Sequence, residues 1–116
     1  MCSFNFYDLL GVPYKKGGRD KDGFDCYGLV IECYYRMGIS LPSKEDDWKA
    51  SNSLKMGFVK HDIILPADII EIDDNNHVGV AINGKHFIHA TINRGVVVSP
   101  IKAYRITGVY GYRVSL

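Results

Sequence analysis

No apolar run in this chain approaches the roughly 20 residues that a membrane-spanning helix needs. Its opening residues, MCSFNFYDLL, also lack a basic leader, a long apolar stretch and a small-residue cleavage site. Neither membrane insertion nor a secretory signal peptide is therefore expected. Charge of one sign is scarce too, because 14 Lys and Arg against 13 Asp and Glu leave a net charge of +1. A nucleic-acid binder normally carries a basic face, so that class is set aside. The local basic group Lys15, Lys16, Arg19 and Lys21 is interrupted by Asp20 and Asp22 and reads as a solvated loop.

Several chemical signatures are missing as well. Gly17, Gly18 and Gly23 match neither phosphate-loop nor dinucleotide spacing, and no strand precedes them. There is no Gly-x-Ser-x-Gly elbow. With three cysteines, not all can pair with one another. Cys26 and Cys33 are seven residues apart on one predicted helix, which separates their Cα atoms by roughly 10 Å. A disulfide needs less than about 7 Å, so these thiols are expected to stay unbridged.

What remains is an ordinary globular composition. The chain has 116 residues, of which 47% are hydrophobic, and this suits one domain over 1–116. Phe4 to Leu10 reads as a short turn or helix, broken at Gly11-Val12-Pro13. The clearest element is a helix from Cys26 to about Met37. Asp25 is its N-cap; Cys26, Leu29, Val30, Cys33 and Met37 form its apolar face, and Gly38 stops it. A short helix is predicted around Trp48 to Leu54. From Ala67 onward the pattern changes to strands at 68–72, 78–82, 86–90, 96–99 and 109–114. A helical half followed by an antiparallel sheet of about five strands makes an α+β fold.

Cys26 falls in the first helical turn, where the dipole and the amide donors favour a thiolate and could hold an oxyanion. Cys33 reads as a buried apolar cysteine. A nucleophile needs a base, and the base an orienter. His77 and His89 lie on successive strands joined through Asn83-Gly84. A two-residue loop would put them on opposite faces. A three-residue loop with Gly84 left-handed, or a bulge, would set His77 opposite His89 on one face. His61 and His86 read as ordinary residues. Zinc held by Cys26, His77 and His89 is an alternative, although no Cys-x-x-Cys or His-x-x-x-His pair supports it. No cofactor is expected.

Three stretches resemble the NlpC family of cell-wall cysteine peptidases, a minimal papain-like fold: GVPYKKGGRDKDGFDCYGLVIECYYRMGISLP (11–42), LPADIIEI (65–72) and HVGVAINGKHFIHA (77–90). The resemblance implies Cys26 as nucleophile, His77 as general base and His89 as its orienter. It implies Tyr14 beside the oxyanion, and a pocket shaped by Asp25, with Arg19 and Tyr27 also at the substrate side. The implied reaction is cleavage of the D-glutamate–diamino acid amide in peptidoglycan stems. Tyr27 stands where many members have Ser, which puts the usual preference for an N-terminal L-Ala stem in doubt. Ala67 stands where Gly is common, a change expected to be harmless. The aromatic at 27, the bare domain and the missing signal peptide resemble bacteriophage tail members. On that view tail proteins are partners, and the protein sits in the virion tail or is made in the cytoplasm and delivered to the wall. A non-catalytic wall-binding or tail module, and an acyltransferase or amide-cleaving toxin, are the rival readings.

Overall fold

The computed structural model describes residues 5–42, 54, 56–74 and 76–112. The helix predicted at 48–54 lies almost entirely outside the described residues. A 3-10 turn at Tyr7–Leu9 leads into a two-stranded ribbon, β1 (Arg19–Asp20) and β2 (Gly23–Phe24), and then the helix α1 (Cys26–Arg36). Six further strands follow: β3 (Phe58–Lys60), β4 (Ile69–Ile72), β5 (His77–Ala81), β6 (His86–Thr91), β7 (Gly95–Pro100) and β8 (Ile106–Tyr112). They form one antiparallel sheet in the order β3-β8-β4-β5-β6-β7.

Helix α1 starts where its cap dictates. Asp25 has extended backbone, and its carboxylate accepts the amide of Gly28, a first-turn donor with no partner inside the helix. At the other end Gly38 takes φ 84°, and Ile39 N–H returns to Tyr34 C=O, closing the last turn. Between these stops Leu29, Val30, Cys33 and Tyr34 are buried. The helix lies across β5 and β6.

Strand alternation divides the sheet residues between two cores. Ile69, Val78, Val80, Ile88, Ala90 and Tyr110 pack with the helix. Ile70, Ile72, Ala81, Phe87 and Val109 pack on the opposite face, under Ile101 and Tyr104. Both faces are covered, so β4 is buried along its whole length.

The structure adds two features to the sequence expectation. Among the described residues the sheet has six strands where about five were expected, because Phe58–Lys60 pairs with the end of β8. Ala67 has φ 76°, in the left-handed region that suits glycine. Alanine there is held rather than harmless: its N–H donates to Ala81 C=O, and its own C=O accepts from the Tyr34 hydroxyl.

Candidate active site

Cys26 is the first residue of α1 and is half-buried against the core beneath the helix. The chain reaches it through the ribbon. Tyr14 bridges to Phe24, Phe24 N–H donates to Pro13 C=O, and Lys15 N–H donates to Phe24 C=O. Tyr14 is thereby set beside the segment that enters the helix.

The Asp25 carboxylate is heavily engaged. Oδ1 accepts from Gly28 N–H at 2.6 Å and from Arg19 Nη1 at 2.7 Å, while Oδ2 accepts from Gly17 N–H at 3.2 Å. Arg19 also donates to Gly18 C=O and stands over the Tyr27 ring. The basic loop read as solvated thus contributes one residue to the helix start. Tyr27 is buried, and its hydroxyl donates to Pro42 C=O. The bulky residue after the cysteine is turned into the protein and ties down the segment beyond the helix.

His77 opens β5, and His89 lies fully buried within β6. Nε2 of His77 is 2.7 Å from Nδ1 of His89, and Nε2 of His89 is 2.8 Å from Oγ of Ser99. The two imidazoles share a face, because the loop is odd-numbered. Ile82 N–H bonds to His86 C=O, so Asn83 to Lys85 form a three-residue connection. The expected detail was different, however. Gly84 is not left-handed; instead the Asn83 side chain accepts from the amides of Lys85 and His86. The pairing of Val80 with Ile88, continued by one place, sets Gly79 rather than His77 opposite His89. The imidazoles therefore meet diagonally, and only glycine fits at 79. A Cβ there would come within 2.9 Å of the His89 Cβ and 2.6 Å of the Phe87 ring.

The His89 ring is clamped by aromatics. Phe87 stacks on it at 4.1 Å between centroids, and Tyr104 meets it edge-on at 5.3 Å. Burial, then the neighbouring His77 and Arg94, pushes its pKa down to about 3. Burial also lowers His77. Both rings are accordingly neutral at neutral pH. Both ring nitrogens of His89 are engaged, by His77 and by Ser99, and among the described residues no group of three acidic, His or Cys side chains is arranged to hold a metal ion. His61 pairs with the buried Asp68 at 3.0 Å, and His86 is exposed near Asn83. Ser99, Phe87, Tyr104 and Gly79 were not legible as site residues. Ser99 carried one faint signal, as a polar residue in the otherwise apolar run Gly95–Pro100.

The profile of the NlpC/P60 family matches residues 11–111. The chain belongs to that family. Among relatives, the Escherichia coli (strain K12) protein named probable endopeptidase NlpC is 31% identical over 97 residues, covering 78% of this chain and 60% of that protein. The same organism's murein DD-endopeptidase MepS/murein LD-carboxypeptidase is 29% identical over 99 residues, covering 81% of this chain and 50% of that protein. The chain thus spans about half to three fifths of the length of such relatives. In fold, the NlpC/p60 domain of the peptidoglycan hydrolase SagA matches with a TM-score of 0.72 at 23% identity, over 90% of this chain and 91% of that one. The NlpC/P60 architecture of one helix on an antiparallel sheet is therefore the fold of this protein.

Proposed function

We propose that this NlpC/P60 domain is a cysteine endopeptidase that hydrolyses amide bonds in the peptide stems of peptidoglycan. The observation that carries the reading is the hydrogen-bonded pair of neutral imidazoles, His77 and His89, on strands crossed by the helix that begins at Cys26. Cys26 is the nucleophile, His77 the general base and His89 the group that orients His77. Nε2 of His77 is engaged by His89, which leaves Nδ1 as the nitrogen for the thiol in the proposed reaction.

In the first step Nδ1 of His77 takes the Sγ proton, and the thiolate attacks the scissile carbonyl carbon. The oxyanion is held by donors at the start of α1, with Tyr14 beside them. As the C–N bond breaks, the imidazolium returns its proton to the leaving amine. Water, deprotonated by the same imidazole, then attacks the thioester, releases the carboxylate product and restores the thiol. The name of the relative called murein DD-endopeptidase MepS supports a cell-wall substrate. Within it, the D-glutamate–diamino acid amide is the proposed bond. Asp25, Arg19 and Tyr27 shape the pocket floor by fixing the helix start, and the aromatic at 27 supports delivery by a bacteriophage tail.

Digestion of purified peptidoglycan with mass spectrometry of the fragments tests the reaction and the bond together. New amino termini on the diamino acid are expected with the wild-type chain and not with Cys26→Ala. Intact stems after prolonged digestion, or equal cleavage by the alanine variant, would overturn the proposal.

A further inference from the structure

A neutral imidazole carries one donor and one acceptor, so the contacts of His89 with His77 and Ser99 can be satisfied in two ways. In one, His77 Nε2–H donates to His89 Nδ1, and His89 Nε2–H donates to the Ser99 oxygen. In the other, every proton is reversed: Ser99 donates to His89 Nε2, His89 Nδ1–H donates to His77 Nε2, and His77 keeps its own proton on Nδ1. The second arrangement leaves His77 with no lone pair for a thiol. The first leaves Nδ1 of His77 bare. A hydroxyl has two acceptor lone pairs against one proton, which also favours the first.

We infer that Ser99 is a positioning residue: its hydroxyl accepts the Nε2 proton of His89 and thereby fixes His77 as the tautomer whose Nδ1 can act as a base. The inference rests on the proposed role of His77. Its geometry is independent of that role. Ser99 and His89 are both buried, 2.8 Å apart, on strands whose register sets Ser99 opposite Phe87 and Val97 opposite His89. The ring cannot swing to another partner, because Phe87 stacks on its face and Tyr104 abuts it. His77 and Arg94 are the groups whose charge acts on it, Tyr104 meets it only edge-on, and the contact at Nε2 is with Ser99. Burial keeps His89 neutral well below neutral pH, so a single proton on this ring has to be placed on one nitrogen or the other.

The test uses the full chain with 15N-labelled histidine. Two-bond ring correlation spectra distinguish a protonated Nε2 from a protonated Nδ1. In the wild type, both His89 and His77 are expected to carry their protons on Nε2. Ser99→Ala should mix the His89 tautomers and lower kcat on soluble muropeptides by about 10- to 100-fold, the size of loss seen when a metal-bound histidine loses its outer hydrogen-bond partner. KM should change by less than about twofold, and Ser99→Thr, which keeps the hydroxyl, should restore both the spectrum and the rate. Iodoacetamide labelling of Cys26 near pH 6 should fall with the Ser99→Ala rate. A wild-type His89 protonated on Nδ1 would overturn the inference, and that spectrum needs no variant to fold. So would Ser99→Ala with unchanged tautomers and labelling. If the wild type labels at Cys26 as expected yet leaves muropeptides intact, the proposed substrate fails while the role of Ser99 is still decided by the spectra.

Discussion

Asp25 Oδ1 accepts Arg19 Nη1 at 2.7 Å and the Gly28 amide at 2.6 Å, so one oxygen both caps the helix and holds the loop ahead of it. The carboxylate is buried and the guanidinium mostly so. Asp25→Ala removes the cap, which by itself costs about 1 kcal/mol. It also takes the carboxylate away from a partly buried cation, and breaking such a pair costs more than breaking an exposed one. A total loss of about 2–4 kcal/mol is expected from urea unfolding. Asp25→Asn, which keeps a capping oxygen, should lose less. Equal losses from the two substitutions would mean that the cap contributes little.

The same helix start carries the proposed nucleophile, and the three site residues should fail in a graded order. Cys26→Ala is expected to abolish cleavage while leaving the unfolding midpoint near that of the wild type, since the thiol is half-buried and its loss opens little space. His77→Ala removes the base and should cost about 10²- to 10⁴-fold in kcat. His89→Ala acts through His77, so a smaller loss of about 10- to 100-fold is expected. Rate measurements on one soluble muropeptide check the series. A loss at His89 equal to or greater than that at His77 would contradict the division of roles.

A third prediction concerns stability alone. Ala67 is held at φ 76°, where an L side chain costs about 1–2 kcal/mol. Ala67→Gly relieves that strain but adds about 0.4–1 kcal/mol of unfolded-state freedom. A net gain of about 0.5–1 kcal/mol is expected in denaturant unfolding, with the Tyr34 hydroxyl still bonded to the carbonyl at 67. A destabilised glycine variant would show that the strain is absorbed elsewhere.

How far the sequence reveals this molecule depends on how local each signal is. Helix α1 was legible from Asp25 to Gly38 because cap, apolar face and stop all lie within one short stretch. The common face of His77 and His89 hung on loop parity, which the sequence left open between an even and an odd connection, and their register was not legible either. Parity is set by whether the connection is odd. The two-residue offset depends on the Asn83 side chain capping Lys85 and His86, which composition does not announce. Strand β3 is three residues long and exists only through its pairing with β8, so no periodicity could reveal it. Ser99 as a site residue, and the contact of Arg19 with Asp25, were hidden for the same reason. Their partners, His89 and Asp25, are reached across a strand pair or around a ribbon, and a contact of that kind is decided by tertiary packing.

The buried imidazoles also set the acid stability of the fold, and the sign follows from their lowered pKa values. An unfolded histidine titrates near 6.5, whereas burial holds His89 at about 3 and keeps His77 low as well. Between those values the unfolded chain binds protons that the native chain does not, so native stability falls as the pH drops below 6.5. Each such proton contributes a slope of about 1.4 kcal/mol per pH unit. Asp68 works in the opposite sense. Burial raises its pKa, so the native state takes up that proton first and gains relative stability as the pH falls through its folded value. Urea unfolding at intervals from pH 7 to pH 5 should show a declining midpoint in the wild type. The decline should be shallower in His89→Gln, which removes the ring whose pKa burial lowers to about 3 and leaves His77 to contribute. Declines of equal steepness in the wild type and in His89→Gln would mean that the His89 ring is not held neutral, and the hydrogen-bonded pair assigned to the base and its orienter would lose its physical basis.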